Sequence, residues 1–224
     1  MWLLPLPGRG QQLSYEVTGR ISGLPAGTRL YLVDGGQRKR IDSTTVEHEA
    51  FTFRGRVAEP VFVYLYAGWG RGSSKLTDFL LDNLRFAVAG ARPVYEAISV
   101  AGSPDNDALN EYLRQDEQLA RARARVLRSY KALLARQDTT ATSLKLAADE
   151  LQQARIEELK ATVRRYRDTP VGAALPTMCT LLTSLTAADY IDMYQAIAPR
   201  WRRTAFGREI RTQVRKQGGP VLPE

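Results

Sequence analysis

Alternating apolar and polar residues run through the first hundred residues of the chain, and this period of two predicts β-strands. In "LSYEVTGRIS", Leu13, Tyr15 and Val17 alternate with polar neighbours. The segment "PVFVYLYA", residues 60–67, is apolar at nearly every position. We therefore expect a strand there that is buried on both faces or binds something on one of them. Turn clusters such as "GLPAG" and "GWGRG" separate the strands, and no helical pattern intervenes, which favours an antiparallel sandwich or barrel.

The best organised of these segments is "RIDSTTVEHEAFTFRGRV", residues 40–57. Its pattern predicts a hairpin in which the first strand ends near Val46 and residues 47–50 reverse the chain. Phe51 and Phe53 are then expected to point into the core from the second strand. The segment "TDFLLDNLRFAVAG" is expected to form another hairpin that turns at its Asp-Asn pair, because Asn tolerates a positive φ.

At "GSPDND" the period changes from two to the helical repeat. Ser103 is a good N-cap and Pro104 suits the first helical position. Two long amphipathic helices are expected on either side of "RQDTTATS", and their short connection favours an antiparallel pair. Shorter helices are predicted at "DTPVGAALPTMCTLLTSL", opened by Thr169 as cap, at "AADYIDMYQAIA", where Thr186 and Asp189 form a capping-box variant, and at "TAFGREIRTQVRK".

These patterns predict an α+β protein: an N-terminal antiparallel β-sandwich or barrel is followed by an α-helical region with a long helical hairpin. We expect the β-sandwich domain at residues 13–102, the helical domain at residues 103–217 and a tail at residues 218–224. Residues 1–12, "MWLLPLPGRGQQ", are interpreted as a leader remnant or a disordered segment. They are apolar like part of a signal peptide, but they lack its basic start.

The inventory of reactive side chains limits the chemistry. The chain of 224 residues has one cysteine, Cys179, and one histidine, His48, so an intramolecular disulfide, a Cys-x-x-Cys pair and a zinc quartet are excluded. Cys179 is expected to be buried and inert in "LPTMCTLL", and His48 to be solvated in a turn. Acidic pairs such as Asp42 with Glu47 have no distinctive spacing and are expected to be ordinary surface residues. We therefore expect no enzyme activity and no catalytic, cofactor-binding or metal-binding residue.

The net charge of +8 raises the question of an anionic partner. Arg121, Arg123 and Arg125 in "RARARVLR" recur at every second residue, which spreads them around a helix. This spacing favours a solvated helix surface and disfavours a nucleic-acid site. No segment approaches the roughly 18 apolar residues of a membrane span.

The order of the motifs resembles domain of unknown function 4369, a β-rich domain that typically precedes a thioredoxin-like domain in cell-envelope thiol-disulfide proteins of Bacteroidetes. The family's Ile/Leu-Asp-Ser start matches residues 41–43, its Phe-x-Phe-x-Gly strand matches residues 51–55, and its Gly-Ser before the helices matches residues 102–103. In the helical half, "YRDTPVGAALPTM" is similar to the family's Asn-Pro-x-Ser segment, with Thr169 in place of Asn and Gly172 in place of Ser.

This resemblance implies a non-catalytic accessory module that positions or oligomerises a thioredoxin-like domain in the periplasm or elsewhere in the cell envelope. Its partner would be a thioredoxin-like domain in the same chain, another protein chain or a second copy of this one. The redox Cys-x-x-Cys pair of family members is missing here, so the chain is expected to be either a fragment or a natural stand-alone copy. The alternative is a stand-alone envelope binding protein for an unidentified ligand. The candidate surfaces are the "VFVYLYAGW" strand and the paired helices.

Overall fold

The computed structural model describes residues 14–223, so the interpretation of residues 1–12 as a leader lies outside the described residues. The chain divides into two compact units, one ending at Asn106 and the other beginning at Asp107. The first unit contains eight strands and the second is helical. The α+β fold class predicted from the change of period is therefore confirmed.

In the described part of the chain, the strands form two four-stranded sheets. Their bounds are β1 Tyr15–Ile21, β2 Arg29–Asp34, β3 Arg40–Thr45, β4 Ala50–Gly55, β5 Val61–Ala67, β6 Ser74–Leu81, β7 Arg85–Gly90 and β8 Ile98–Ala101. One sheet has the order β4-β1-β7-β8 and the other has the order β3-β2-β5-β6. Neighbouring strands pair antiparallel, except that β1 and β7 are parallel.

Apolar side chains from both sheets share one core, so the sheets form a sandwich. Val17 of β1 and Leu65 of β5 are completely buried, one from each sheet. Phe51 and Phe53 of β4 are also buried, as the alternation predicted. Burial of large apolar side chains such as these provides most of the stability of the unit.

The two predicted hairpins are wrong in their strand pairing, although the first turn lies where it was expected. β3 pairs with β2 and β4 pairs with β1, so residues 47–50 carry the chain from one sheet to the other. β6 and β7 likewise lie in different sheets. Alternation of apolar and polar residues predicts which side chains are buried, but it does not predict which strands pair. A tight turn in a sandwich can connect two strands of one sheet or lead to the opposite sheet.

The crossing turn at residues 47–50 has an unusual backbone. Glu47 and Ala50 exchange backbone hydrogen bonds of 2.9 and 2.8 Å, while His48 and Glu49 have φ values of +50° and +64°. Two consecutive left-handed residues are typical of a type I′ turn, which usually contains Asn or Gly. A carboxylate oxygen of Glu49 accepts a 2.7 Å hydrogen bond from the backbone N–H of Gly23, which holds the turn against the β1–β2 loop.

Aromatic rings lie over glycines where β1 and β4 pair. Phe51 is opposite Gly19, and Tyr15 is opposite Gly55. A Cβ atom at position 19 would lie 2.1 Å from Cζ of Phe51, and one at position 55 would lie 2.4 Å from the Tyr15 hydroxyl. Glycine is therefore needed at both positions so that each ring approaches the facing backbone.

The helices begin close to the predicted positions. Their bounds are α1 Pro104–Leu134, α2 Ala141–Arg165, α3 Pro170–Met178, α4 Ala187–Ala196, α5 Pro199–Arg202 and α6 Ala205–Lys216. Ser103 accepts a long 3.4 Å hydrogen bond from the backbone of Asn106, and the Thr186–Asp189 capping box is present. Thr169 precedes α3 as predicted, but its hydroxyl donates to a carbonyl of the preceding turn and makes no cap bond. Among the described helices, none is both long enough and apolar enough to cross a membrane.

The arginines of α1 do not all have the same environment. Arg123 is half-buried, and its Nε atom has no hydrogen-bond partner among the described residues. Arg121, Arg125 and Arg128 are exposed, and their i, i+4, i+7 spacing places them on one face of the helix. The prediction that the arginines are spread around the helix holds for Arg123, which lies on a different face. It is wrong for Arg121 and Arg125, which share one face with Arg128. Arg121 already forms an ion pair with Glu117 at 2.6 Å.

Candidate interaction surface

Strand β5 directs alternate side chains to the two sides of its sheet. Val63 and Leu65 are completely buried in the sandwich core, whereas Tyr64 and Tyr66 lie on the opposite side and are half-buried. Tyr31 of β2 is paired with Tyr66 in the strand register and adds a third phenol to this side. Phe62, on the same side as the two tyrosines, is only 6% exposed, so this side of β5 is buried at its start and half-buried from Tyr64 onward.

We call Tyr31, Tyr64, Tyr66 and Trp69 the aromatic face. Trp69 follows β5 directly and is 57% exposed, and its ring centroid lies 5.3 Å from that of Tyr31. The rings of Tyr64 and Tyr66 are 6.0 Å apart in an edge-to-face arrangement. These are favourable aromatic geometries. An exposed indole beside tyrosines is also the kind of side chain that contributes strongly to protein interfaces.

Two arginines lie over rings of the aromatic face. The guanidinium carbon of Arg38 is 5.0 Å from the centroid of Tyr64, and that of Arg40 is 5.7 Å from the centroid of Tyr31. A cation within about 6 Å of a ring centroid is attracted by the negative face of the ring. The tyrosines therefore hold both guanidinium groups close to the sheet.

A lysine adds a third cation, with different partners. Nζ of Lys75 lies 5.2 Å from the centroid of Tyr64 and 4.3 Å from that of Tyr95. It also forms a 2.7 Å ion pair with Asp78, whose other oxygen accepts a 2.9 Å hydrogen bond from the Tyr95 hydroxyl. Burial, followed by the negative charge of Asp78, raises the pKa of Tyr95 above its ordinary value. Tyr95 therefore remains a neutral hydrogen-bond donor, and the charge of Lys75 is compensated by Asp78.

The turn between β2 and β3 positions Arg38. Oδ1 of Asp34 accepts 2.8 Å hydrogen bonds from the backbone N–H groups of Gly36 and Gln37, and the Asp34 carbonyl accepts from the N–H of Arg38 at 2.9 Å. Arg38 has a φ of +56°, in the left-handed region that an arginine seldom occupies. The turn therefore fixes the direction in which the Arg38 side chain leaves the backbone.

Both sheets and the first residues of α1 fall within one recognised family region. Residues 15–109 match the family model described as Domain of unknown function (DUF4369). No curated protein matches the chain. The match includes the motifs at residues 41–43, 51–55 and 102–103, and we call residues 15–109 the DUF4369 region.

The motifs in the DUF4369 region have structural contacts in the sandwich. Asp42 of β3 accepts a 3.0 Å hydrogen bond from the hydroxyl of Tyr15 in β1, so it connects the two sheets. This corrects the interpretation of Asp42 as an ordinary surface acid. Burial, followed by the hydrogen bond to Asp42, raises the pKa of Tyr15, which therefore stays a donor at neutral pH. Phe51 and Phe53 fill the core, so these motif positions build the scaffold.

A groove in the DUF4369 region lies beside the crossing turn. This groove has a volume of about 460 Å³, and its lining includes Arg20, Glu47, His48 and threonines of β3 and β4. His48 is exposed in the turn, as predicted. The lining is mostly polar, which suits a small polar ligand better than an apolar one.

The lone cysteine is remote from solvent. Cys179 follows α3 and is 4% exposed, which confirms the predicted burial. Burial raises the pKa of the Cys179 thiol to about 11, so little thiolate is present at neutral pH. Within residues 14–223, no group of three or more His, Cys, Asp or Glu side chains is arranged to hold a metal ion.

Sequence reasoning identified the aromatic strand but missed the cations that lie over it. Arg38 lies in the turn before β3, Arg40 is the first residue of β3, and Lys75 is the second residue of β6, after the glycine-rich loop. The basic run at residues 38–40 was the available signal. Its importance depends on Tyr31 and Tyr64 lying next to it in the folded sheet, which strand pairing determines.

Proposed function

We propose that this chain is a non-catalytic accessory module that positions or assembles a thioredoxin-like domain in a cell-envelope thiol-disulfide system. The observation that carries the proposal is the aromatic face: one side of the β3-β2-β5-β6 sheet lies in the core, and the other presents tyrosines and the exposed Trp69. Tyrosine and tryptophan provide large contact areas at interfaces with little loss of side-chain entropy. The aromatic face is therefore the surface that we assign to partner binding.

The choice of partner has a separate basis. It rests on the resemblance of the motif order to proteins in which this domain precedes a thioredoxin-like domain, and residues 15–109 match the model of that domain family. In this proposal the partner carries the reactive cysteines, and the chain orients it, determines its assembly or selects its protein substrates. The proposed compartment is the cell envelope, within the periplasm.

The test is a fusion in which a thioredoxin-like domain with a Cys-x-x-Cys pair follows Glu224. Oligomeric mass and reductase activity are measured for that domain alone and for the fusion. We expect equal activity toward a small disulfide, since the module leaves the chemistry unchanged. Activity toward a protein disulfide, or the oligomeric mass, should differ.

The control variants locate the effect on the chain. Tyr64→Ala combined with Trp69→Ala should remove the difference between the fusion and the isolated domain. Leu146→Ala, which truncates a side chain of α2 that is 61% exposed, should leave it unchanged. Identical mass and identical activity for the fusion and the isolated domain would contradict the accessory role.

A stand-alone envelope binding protein is the second candidate, and the polar groove at the crossing turn favours it. A small ligand bound there would raise the melting temperature in proportion to its concentration. Sugars and dicarboxylates are suitable probes. A shift that Thr45→Val and His48→Ala both abolish would support this function, whereas a shift that both variants retain would place the ligand elsewhere.

A further inference from the structure

A run of three basic residues leads into β3 beside the aromatic face. Arg38, Lys39 and Arg40 are consecutive and exposed. Among the described residues, the contacts of the Arg38 and Arg40 side chains are with the rings of Tyr64 and Tyr31, and no carboxylate pairs with either one. Lys75 differs, because Asp78 compensates its charge. Lys39 has no described ring contact, so the two arginines are the uncompensated cations that aromatic rings hold in place.

Two of the cations converge on one ring. Arg38 lies 5.0 Å and Lys75 lies 5.2 Å from the centroid of Tyr64. Because Asp78 compensates the charge of Lys75, Arg38 is the cation over this ring that lacks a carboxylate partner within residues 14–223. An anion could pair with Arg38 while the guanidinium stays stacked on its ring.

The backbone prepares Arg38 for such an anion. Its left-handed φ of +56° is maintained by the Asp34-capped turn, so the side chain leaves a fixed point at the edge of the aromatic face. A cation that is already placed loses less freedom on binding than a mobile one. Guanidinium groups also bind carboxylates through two parallel hydrogen bonds, which a single ring contact leaves unused.

The ring contacts also discriminate between anionic polymers. Single-stranded nucleic acids gain affinity when their bases stack on open aromatic rings. Here cations lie over Tyr31 and Tyr64, so those faces are taken, and Trp69 is the most exposed ring of the aromatic face. A partner that supplies carboxylates to the cations and apolar side chains to Trp69 fits this arrangement better.

We propose that Arg38 and Arg40, held over the aromatic face, bind the carboxylates of an acidic peptide segment. This inference rests on the proposed function in taking the aromatic face as the contact surface, and it adds the chemistry of the partner. The peptide would belong to the partner domain.

The experiment uses the whole chain and a fluorescein-labelled octaglutamate, with binding followed by fluorescence anisotropy at low salt. The variant R38Q/R40Q removes both proposed ligands. The matched control K39Q/R71Q removes the same charge from two exposed residues whose described contacts include no ring. We expect R38Q/R40Q to weaken binding at least ~10-fold, because two charge-assisted pairs are lost, and the control to weaken it less than ~3-fold.

Two substitutions of Tyr64 test whether its ring contributes to octaglutamate binding. Tyr64→Phe keeps the ring under Arg38 and should bind octaglutamate like the wild type, whereas Tyr64→Leu keeps only apolar bulk and should bind more weakly. Circular dichroism of each variant verifies that the sandwich remains folded. Equal binding by the Phe and Leu variants would remove the role assigned to the ring.

Three results would overturn the inference. They are absence of octaglutamate binding by the wild type, equal loss in R38Q/R40Q and K39Q/R71Q, and tighter binding of an oligothymidine of equal charge through the same arginines. The accessory function is judged separately by the fusion. If octaglutamate fails to bind while the aromatic substitutions still change the fusion, the acidic partner is wrong and the accessory role stands.

Discussion

Arg155 of α2 meets Asp116 of α1 through two parallel hydrogen bonds, with Nε donating to Oδ1 at 2.7 Å and Nη2 donating to Oδ2 at 2.9 Å. The hydroxyl of Thr180 lies 2.6 Å from the same Oδ2. The side chains are only 11% and 3% exposed, so both charges are removed from water. A buried bidentate ion pair between two helices fixes their register, as polar core residues do in coiled coils.

Breaking this ion pair is expected to destabilise the helical unit strongly. Asp116→Ala or Arg155→Met should each lower the free energy of unfolding by about 3–5 kcal/mol, because the remaining charge is left buried without its partner. The double variant D116L/R155M should lose less unfolding free energy than the two single variants lose together. Urea unfolding of the wild type and the three variants measures these losses.

The matched control is an exposed ion pair on the same helix. Glu117→Ala removes the surface pair with Arg121 and should cost less than about 1 kcal/mol. If Asp116→Ala costs no more than Glu117→Ala, the buried pair does not fix the arrangement of α1 and α2.

The glycine under Phe51 gives a second prediction. Gly19→Ala should destabilise the sandwich by about 1–3 kcal/mol, because the new methyl group overlaps the ring. Phe51→Ala should cost on the order of 3–5 kcal/mol through the cavity that it leaves. The double variant should cost less than the sum, since the overlapping ring is gone. If the losses of unfolding free energy in the two single variants add up to the loss in the double variant, the Phe51 ring moves aside in Gly19→Ala without strain.

Cys179 gives a prediction about reactivity and alkaline stability. Its thiol should react slowly with thiol reagents in the folded chain, and the chain should reduce insulin no faster than buffer, since one cysteine forms no internal disulfide. The folded pKa of about 11 lies above the ordinary 9.0. The stability from the buried neutral thiol is therefore present below about pH 9 and is lost as the pH rises toward about 11.

The alkaline effect is isolated by Cys179→Ala. The difference in unfolding free energy between wild type and variant should shrink over this pH range by at most about 1.4 kcal/mol per pH unit. Tyrosines without an interaction with the thiol are common to both proteins and cancel, whereas Tyr112 and Tyr190 interact with Cys179 and belong to the measured difference. Rapid labelling of the folded chain at neutral pH would show that the thiol is accessible.

Asp189 controls the acid side of the stability profile. Burial raises its pKa, but hydrogen bonds from Lys160 and Thr186 outweigh that effect and hold the pKa below the ordinary 3.8. A carboxyl with a depressed folded pKa contributes stability above its unfolded pKa, near 3.9, and this is lost as the pH falls through the folded pKa. Asp189→Asn should therefore lower stability by about 1–2 kcal/mol at neutral pH and flatten the loss on acidification.

The neighbouring Asp192 is the control for Asp189. It forms a 2.6 Å ion pair with Arg164, but its side chain is 40% exposed. Asp192→Asn should change the unfolding free energy by less than about 1 kcal/mol. Unfolding in urea at several pH values compares the two variants, and equal acid profiles for both would mean that Asp189 is not protected by its cap.

The sequence predicted local features well, because their causes lie within a few residues. The burial of Phe51 and Phe53 follows from alternation, and the Thr186–Asp189 cap follows from a spacing of three. For Tyr64, alternation predicted the side opposite Val63 but not whether that side is covered, because this depends on what packs against the sheet. The aromatic face was therefore only one of two predictions for β5.

Features that depend on distant residues were missed. Arg155 lies on an amphipathic helix, where arginine is typical of the surface, and its burial depends on Asp116 in the other helix. The pairing of β3 and β4 in different sheets depends on β1 and β2, which precede both strands in the chain. The position of Arg38 over Tyr64 depends in the same way on the pairing of β2 with β5.

The parallel pairing of β1 with β7 has a consequence for synthesis. Glu16 pairs with Arg85, so one edge of β1 has no pairing partner until β7 has been synthesised. At about 5–20 residues per second, this interval lasts several seconds on the ribosome. During it, β1 exposes backbone groups that are able to pair with a strand of another nascent chain. The first unit is therefore most prone to aggregation before β7 emerges, and a chaperone that covers β1 at that stage should raise the yield of folded protein.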